Sequence, residues 1–208
     1  MKTRIFNLII IDESGSMESI KNQAISGLNE TIQTIRKAQT DFPEQEHFVS
    51  LVSFNSGGIK TIHDCIPANE ILEIEAEKYN PNYGTPLFDA MGFSIKDLQQ
   101  HVAPDNKVLI TIITDGYENA SREYNGAAIK ALVEELKSKG WIFTYIGANQ
   151  DAIAFAKGIS INNALNFEAS CEGTKAMFAK DCSSRMKFFE NLKHPDANYN
   201  SEKDFFSK

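Results

Sequence analysis

The stretch IFNLIIIDESGS, residues 5–16, indicates the fold class of the chain. Its first seven residues are apolar except for Asn7, and such a β-branched and aromatic run is typical of a strand buried on both faces of a parallel sheet. Asp12 follows immediately, and Ser14 and Ser16 flank a glycine. A buried strand that ends in a turn of oxygen-bearing side chains is typical of α/β proteins, which bind ligands at the carboxyl ends of their strands.

Beyond this stretch, runs with the period of a strand alternate with runs that have the period of a helix. Further strands are predicted at residues 47–54, 59–66, 108–113, 141–146 and 164–167, and helices after residue 17, from residue 87 to a stop at 104–106, and at 125–139, 152–157 and 174–192. The turn signal NSGG, residues 55–58, joins the second and third strands as a hairpin. This order predicts a doubly wound, mostly parallel six-stranded α/β sheet with one antiparallel edge strand and helices on both faces, a Rossmann-like fold.

Helical spacing also selects the side chains that should face the core. In the helix at residues 125–139 the expected inward stripe is Ala128, Leu132 and Leu136. In the last helix the expected inward residues are Phe178, Cys182, Met186 and Phe189. Residues 1–193 are expected to form a single domain, and residues 194–208, which are polar apart from a Phe pair, a C-terminal tail.

Composition restricts the partners and the compartment of the chain. Its 208 residues, 42% of them hydrophobic, suffice for one domain with its own core. A net charge of −7 without a Lys/Arg-rich run argues against nucleic acid and anionic membranes as partners. No run approaches a membrane span, the N-terminal run lacks a signal-peptide cleavage site, and the three cysteines have no C-x-x-C spacing. We therefore expect a cytoplasmic monomer with free thiols and no zinc site.

Three short segments carry the candidate chemistry. They are residues 12–17, 84–87 and 114–116, and each is predicted at the rim of the sheet where the parallel strands end. Asp carboxylates and Ser or Thr hydroxyls are hard oxygen donors that suit Mg²⁺, Mn²⁺ or Ca²⁺. Because such a cage would hold only two carboxylates, a bound ion would stay electrophilic and favour an incoming carboxylate.

The sequence D-x-S-x-S at residues 12–16, with Thr85 and Asp115, resembles the metal-ion-dependent adhesion site of the von Willebrand factor A (VWA) or integrin I-domain family. The resemblance implies that Ser14, Ser16 and Thr85 bind Mg²⁺ through their hydroxyls and that Asp12 and Asp115 bind it directly or through water. It also implies a protein partner whose Glu or Asp completes the coordination, and a protein-interaction module with no enzyme activity. The run at residues 12–17 and the lack of a signal-peptide pattern resemble intracellular bacterial members of the family, such as the tellurium-resistance type, more than secreted adhesins.

Other functions stay open at this point. Asp12 and Ser14 could merely cap the first helix, although capping leaves Thr85 and Asp115 unexplained. A metal-dependent phosphatase or other hydrolase is a second hypothesis, with Arg122 the nearest cation in the sequence. A third is a regulatory subunit of an ATPase or of a stress-response system, and no nucleotide-binding motif is present in the chain itself.

Two further groups of residues bear on these alternatives. None of the four histidines lies in the three segments, and surface or hairpin positions are expected for them, which argues against acid–base or zinc catalysis. Tyr83, Tyr117 and Glu118 flank the segments in predicted loops. They either select the partner or are ordinary exposed loop residues.

Overall fold

A six-stranded sheet forms the centre of the computed structural model, which describes residues 2–148, 151–194 and 199–207. The spatial order of the strands is β3-β2-β1-β4-β5-β6. In chain order they are β1 (Thr3–Asp12), β2 (Gln45–Asn55), β3 (Gly58–Pro67), β4 (Lys107–Thr114), β5 (Ile142–Ala148) and β6 (Asn163–Phe167). All neighbours pair in parallel except β2 and β3, which form an antiparallel hairpin with β3 at the edge. The predicted sheet and its antiparallel edge strand are confirmed.

Within the described residues, five α-helices connect and cover the strands. They are α1 (Lys21–Asp41), α2 (Leu87–Gln99), α3 (Gly126–Ser138), α4 (Ala152–Gly158) and α5 (Cys171–Lys193), and short 3-10 helices span Gly15–Ile20 and Ala76–Lys78. The side chain of Asn125 caps α3 by accepting a hydrogen bond from Ala128, and Gly140 follows the helix with φ of +84°. α3 therefore begins with a residue type favoured at helix N-caps and is followed by a glycine in the left-handed conformation common after helix C-termini.

Two apolar layers lie on opposite faces of the sheet. One contains the inward stripes of α1 and α5, and the other contains those of α2, α3 and α4. α1 and α5 pack closely because Gly27 has no side chain: a Cβ at this position would lie 2.0 Å from the ring of Phe178. Both layers pack against β1 and β4, which are buried along nearly their whole length.

Two of the predicted helical stripes need correction. In α3 the buried residues are Ile129, Val133 and Leu136, whereas Ala128 is exposed and Leu132 is only partly buried. In α5 Phe178 and Phe189 are buried as expected, but Cys182 and Met186 are only partly buried. Apolar residues with helical spacing begin both at Ala128 and at Ile129. The series that begins at Ile129 includes the β-branched Ile129 and Val133, and it is this series that faces the sheet.

A buried ion pair occupies part of the inward face of α5. Arg185 and Asp181 are both fully buried, and Arg185 Nε donates a hydrogen bond to Asp181 Oδ2 at 2.6 Å. Arg185 also donates from Nη2 to the hydroxyl of Thr111 in β4 at 2.6 Å. Removal of either partner would leave an unpaired buried charge and should strongly destabilise the domain.

His47 lies in the β2–β3 hairpin, one of the two kinds of position expected for the histidines, but it is not at the surface. It is fully buried in β2, its ring contacts Phe189 edge-on at 4.5 Å, and its Nε2 lies 3.0 Å from Gln45 Oε1. Burial lowers the pKa of His47 to about 4. His47 is therefore a neutral core residue of the α5 side.

The C-terminal segment at residues 199–207 packs back onto the domain. Phe205 is fully buried with its ring 6.1 Å from that of Phe188, and its backbone N–H donates to the side chain of Asn163 at the start of β6. The apolar pair in this otherwise polar segment thus has one member in the core. Among the described residues, no helix is both long and apolar enough to cross a lipid bilayer.

Candidate metal centre

The sheet topology brings two of the three predicted segments together. β1 and β4 are parallel neighbours, and their register pairs Ile11 with Ile113. Asp12 ends β1 and Asp115 directly follows β4, so both carboxylates lie at the same rim. The chain leaves these two central strands toward opposite halves of the sheet, since β2 lies beside β1 and β5 beside β4. Doubly wound sheets bind their ligands at such a switch point.

A chain of hydrogen bonds links four of the five candidate residues. The backbone N–H of Ser14 donates to Asp12 Oδ1 at 2.7 Å, and the hydroxyl oxygens of Ser14 and Ser16 are 3.2 Å apart. Ser16 donates its hydroxyl hydrogen to Asp115 Oδ1 at 2.5 Å. The turn after β1 therefore directs its polar side chains toward the end of β4.

Thr85 joins this cluster from the loop before α2. A Cβ added to Gly116 would lie 3.3 Å from Thr85 Oγ1 and 3.8 Å from both Asp12 Oδ2 and Ser16 Oγ. Three side-chain oxygens thus surround the open face of one glycine. Paired hydrogen bonds hold the loop in place: Thr85 N–H donates to Asn119 Oδ1, and Asn119 N–H donates to the carbonyl of Thr85. All five residues predicted from the sequence converge at this rim.

The cluster is buried on one side and open on the other. Asp12, Ser14, Thr85 and Asp115 are at most 5% exposed, whereas Ser16 is exposed. Burial raises the pKa of Asp12 to about 6, against the opposing effect of hydrogen bonds from Thr114 and Ser14, and the charge of Asp115 adds to the rise. Burial likewise raises the pKa of Asp115, although the hydrogen bond from Ser16 lowers it. Two poorly solvated carboxylates close together favour a cation.

Sequence reasoning missed three residues that position this cluster. Thr114 donates its hydroxyl hydrogen to Asp12 Oδ2, Tyr79 donates its phenol hydrogen to the backbone carbonyl of Asp12, and Asn119 holds Thr85. Thr114 lies in the segment 114–116 that the sequence singled out, where it was given no role of its own. Tyr79 was not detectable, because it lies in a segment without periodicity, where it is nonetheless fully buried.

The loop after Asp115 is braced by two acidic side chains. Glu118 accepts hydrogen bonds from the backbone N–H groups of Ala120, Ser121 and Phe88. Asp89 in α2 accepts three more from the N–H groups of residues 122–124. Of the flanking residues whose role was open, Glu118 thus has a structural role in the loop.

The surface around the open side offers two aromatic rings and a cleft. Tyr83 and Tyr117 are 65% and 59% exposed and lie in the loops that carry Thr85 and Asp115. A cleft of about 660 Å³ begins at Pro86, next to Thr85, and is lined by residues that include Ile59, Phe93, Asn119 and Arg122. Exposed tyrosines beside a polar cluster are typical of protein-binding surfaces.

Comparison with known proteins identifies the fold. No protein-family model and no curated protein matches the sequence. The PilB minor pilin from Streptococcus sanguinis matches with a TM-score of 0.68 at 15% identity over 94% of this chain, which spans 64% of that pilin. The vWF domain of the type V pili tip protein Mfa5 from Porphyromonas gingivalis matches with a TM-score of 0.63 at 12% identity, over 96% of this chain and 99% of that domain.

A third match extends the likeness beyond pili. The SpRpn10 VWA domain matches with a TM-score of 0.56 at 10% identity, over 84% of this chain and 93% of that domain. Identities this low concern the fold alone, and the Mfa5 and SpRpn10 matches cover nearly the whole of a VWA domain. The chain therefore has a VWA-like α/β fold.

Proposed function

We propose that this chain is a metal-dependent protein-interaction module. Asp12, Ser14, Ser16, Thr85 and Asp115 would hold one Mg²⁺ ion, or Mn²⁺ or Ca²⁺ in its place, and the ion would bind a Glu or Asp carboxylate of a protein partner. The observation that carries the proposal is the convergence of five oxygen-bearing side chains from three distant segments.

The donor set fits this class of ion. Hydroxyl and carboxylate oxygens are the ligands that Mg²⁺ prefers, and Mg²⁺ requires six ligands. Five side chains leave room for an outside ligand, and the exposed Ser16 marks the side from which it would arrive. The other three ligands are neutral hydroxyls, so an ion that either carboxylate reaches only through water would stay electrophilic and would favour an anionic group of the partner at the open position.

The surroundings suit a protein partner. Tyr83 and Tyr117 supply exposed aromatic area in the loops that carry Thr85 and Asp115, and Arg122 lines the neighbouring cleft. Aromatic residues and arginine are the types that contribute most to protein interfaces. The VWA-like fold shared with pilus proteins and with the SpRpn10 domain supports the same role.

The proposal includes no catalytic step. None of the four histidines lies in the three segments, and Glu118 is occupied by hydrogen bonds within its own loop. Glu13, the other carboxylate in the first segment, accepts a hydrogen bond from the backbone N–H of Asn80. Three free cysteines support a reducing compartment such as the cytoplasm as the place of action.

Calorimetry with Mg²⁺ on chelator-treated protein tests the metal site. Wild type should bind one ion, and Asp12→Ala should bind none while retaining its circular dichroism spectrum. Ser19→Ala, in the 3-10 helix that also contains Ser16 but outside the cluster, is the control and should bind like wild type. Absence of Mg²⁺, Mn²⁺ and Ca²⁺ binding by folded wild-type protein would overturn the proposal.

Two assays separate interaction from catalysis. Affinity capture from an extract of the source cells should recover a partner in Mg²⁺ and lose it with chelator or with Asp12→Ala. Hydrolysis of an aryl phosphate by wild type but not by Asp12→Ala would instead establish the alternative, a metal-dependent hydrolase, with Arg122 as the candidate group for the phosphoryl oxygens.

A further inference from the structure

A second cluster of metal-binding side chains lies away from the rim, between β3 and the end of α2. The carboxylate of Asp64, the thiol of Cys65 and the imidazole of His101 each place a ligand atom within 4.8 Å of the other two. His101 Nε2 and Asp64 Oδ1 are 3.9 Å apart. These ligand types differ from the all-oxygen set at the rim.

An irregularity in β3 places two consecutive side chains at this cluster. Val49 pairs with Ile66 and Leu51 with His63, so Ser50 alone lies opposite both Asp64 and Cys65. In a regular strand consecutive side chains point to opposite faces, and a bulge of this kind redirects one of them. The bulge explains how neighbours in the sequence both reach His101.

The backbone at the bulge is strained. Cys65 has φ of +47°, in the left-handed region that residues with a side chain rarely adopt. Its backbone N–H donates to Ser50 Oγ at 3.0 Å, and the same hydroxyl lies 3.4 Å from Cys65 Sγ. A non-glycine residue kept in this conformation is characteristic of positions where the surrounding structure holds a side chain for a function.

A cavity adjoins the cluster. Its volume is about 180 Å³, and Asp64, His101, Asp97 and Ser94 are among the residues that line it. Ser94 is only 4% exposed, and its hydroxyl has no hydrogen-bond partner within the described part of the chain. A buried hydroxyl without a partner at the wall of a polar cavity is available to a ligand.

We propose that Asp64, Cys65 and His101 form a transition-metal site, with Zn²⁺ as the preferred ion. One sulfur, one imidazole nitrogen and one carboxylate oxygen make up a mixed set that suits Zn²⁺ and disfavours Mg²⁺. Asp64 and His101 are exposed, so their side chains are free to approach the partly buried Cys65. Three protein ligands would leave a fourth tetrahedral position free for an outside ligand, and the cavity that Ser94 lines adjoins two of the three ligands.

This site has no motif in the sequence. Asp64 and Cys65 lie on the third strand, and His101 follows α2, so the spacing between the ligands is unlike that of any local zinc pattern. The absence of C-x-x-C and H-E-x-x-H spacing, which led us to expect no zinc site, does not bear on a site assembled in this way. Bound metal would also favour the thiolate of Cys65, whose pKa is raised by burial.

Cobalt substitution tests the proposal. Chelator-treated, reduced protein is titrated with Co²⁺, which replaces Zn²⁺ in tetrahedral sites and reports a thiolate ligand by a charge-transfer band in the near ultraviolet. Wild type should develop this band, and one equivalent of Zn²⁺ should abolish it. Cys65→Ser should lack the band, and His101→Ala should bind Co²⁺ at least about 10-fold more weakly, the minimum effect seen even for outer-shell partners.

Three controls keep the result specific. Cys171→Ser changes an exposed thiol elsewhere and should retain the band, as should Cys182→Ser. Asp12→Ala should also retain it, so that failure of the rim site and failure of this one are distinguishable. A band that persists in Cys65→Ser, or no band in folded wild-type protein, would overturn the proposal.

Discussion

Thr114 Oγ1 lies 2.6 Å from Asp12 Oδ2 and donates its hydrogen to it, across the ends of two neighbouring parallel strands. The same hydroxyl accepts a hydrogen bond from the backbone N–H of Gly116. One threonine therefore orients the first carboxylate of the cluster and also the backbone that follows the second. Groups that orient metal ligands in this way affect affinity although they never contact the ion.

Replacing Thr114 by valine should lower Mg²⁺ affinity by about 10- to 100-fold, the range typical of outer-shell partners. Valine has nearly the same shape but cannot donate to Asp12. Thr40→Val, on the exposed side of α1, is the matched control and should leave binding unchanged. Calorimetry measures both variants, and equal affinity of Thr114→Val and wild type would show that this hydrogen bond does not position the carboxylate.

Gly116→Ala should impair metal binding without unfolding the domain. The added methyl group would lie 3.3 Å from Thr85 Oγ1 and 3.8 Å from oxygens of Asp12 and Ser16, and so would crowd the space between them. Gly158→Ala is the control, because a Cβ there meets nothing within 4 Å. We expect a loss of Mg²⁺ affinity in the first variant only. Thermal melting in chelator should show that both variants are folded.

The buried His47 should make the protein sensitive to acid. Its pKa in the folded protein is about 4, below the ordinary 6.5, so the folded state binds fewer protons than the unfolded chain between these values. The contribution of neutral His47 to the free energy of unfolding is fully present above pH 6.5. It is lost as the pH falls toward 4, by about 3 kcal/mol at most. His47→Gln should flatten this part of the urea-unfolding profile, whereas His194→Gln, at an exposed position, should not.

Phe205→Ala should destabilise the domain by about 3 kcal/mol, the usual cost of deleting a buried phenyl ring. Phe205 is fully buried against Phe188, whereas its neighbour Phe206 is partly exposed. Phe206→Ala therefore serves as the control, with a smaller loss expected. Urea unfolding measures both variants, and equal small losses would mean that residues 199–207 add little to the core.

The strands of the sheet could be predicted from the sequence because the apolar pattern of each strand lies within its own residues. Residues 5–11 and 108–113 are nearly continuous apolar runs, and the structure extends each by only one or two residues at either end. The convergence of Asp12 with Asp115 followed from topology, since parallel strands bring their carboxyl ends to one rim. The positions of these residues could therefore be predicted without knowledge of any side-chain contact.

Features decided by tertiary packing could not be predicted in this way. Helical periodicity alone cannot decide whether the buried series of α3 starts at Ala128 or at Ile129, because the two starting points are adjacent in the sequence. The burial of His47 and of the Asp181–Arg185 pair depends on partners in distant elements. The bulge at Cys65 likewise has no sequence signal, because nothing in the sequence distinguishes a cysteine that adopts a positive φ from any other strand residue.

The hydrogen bond from Ser16 to Asp115 joins residues that are 99 positions apart in the chain. On the ribosome, the turn after β1 emerges long before β4 has been synthesised. A nascent chain therefore lacks Asp115, the second carboxylate of the cluster, until its fourth strand has left the exit tunnel and paired with the first. Under the proposed function, capture of an ion, and with it recognition of a partner, would be postponed until the central strands of the sheet are in place.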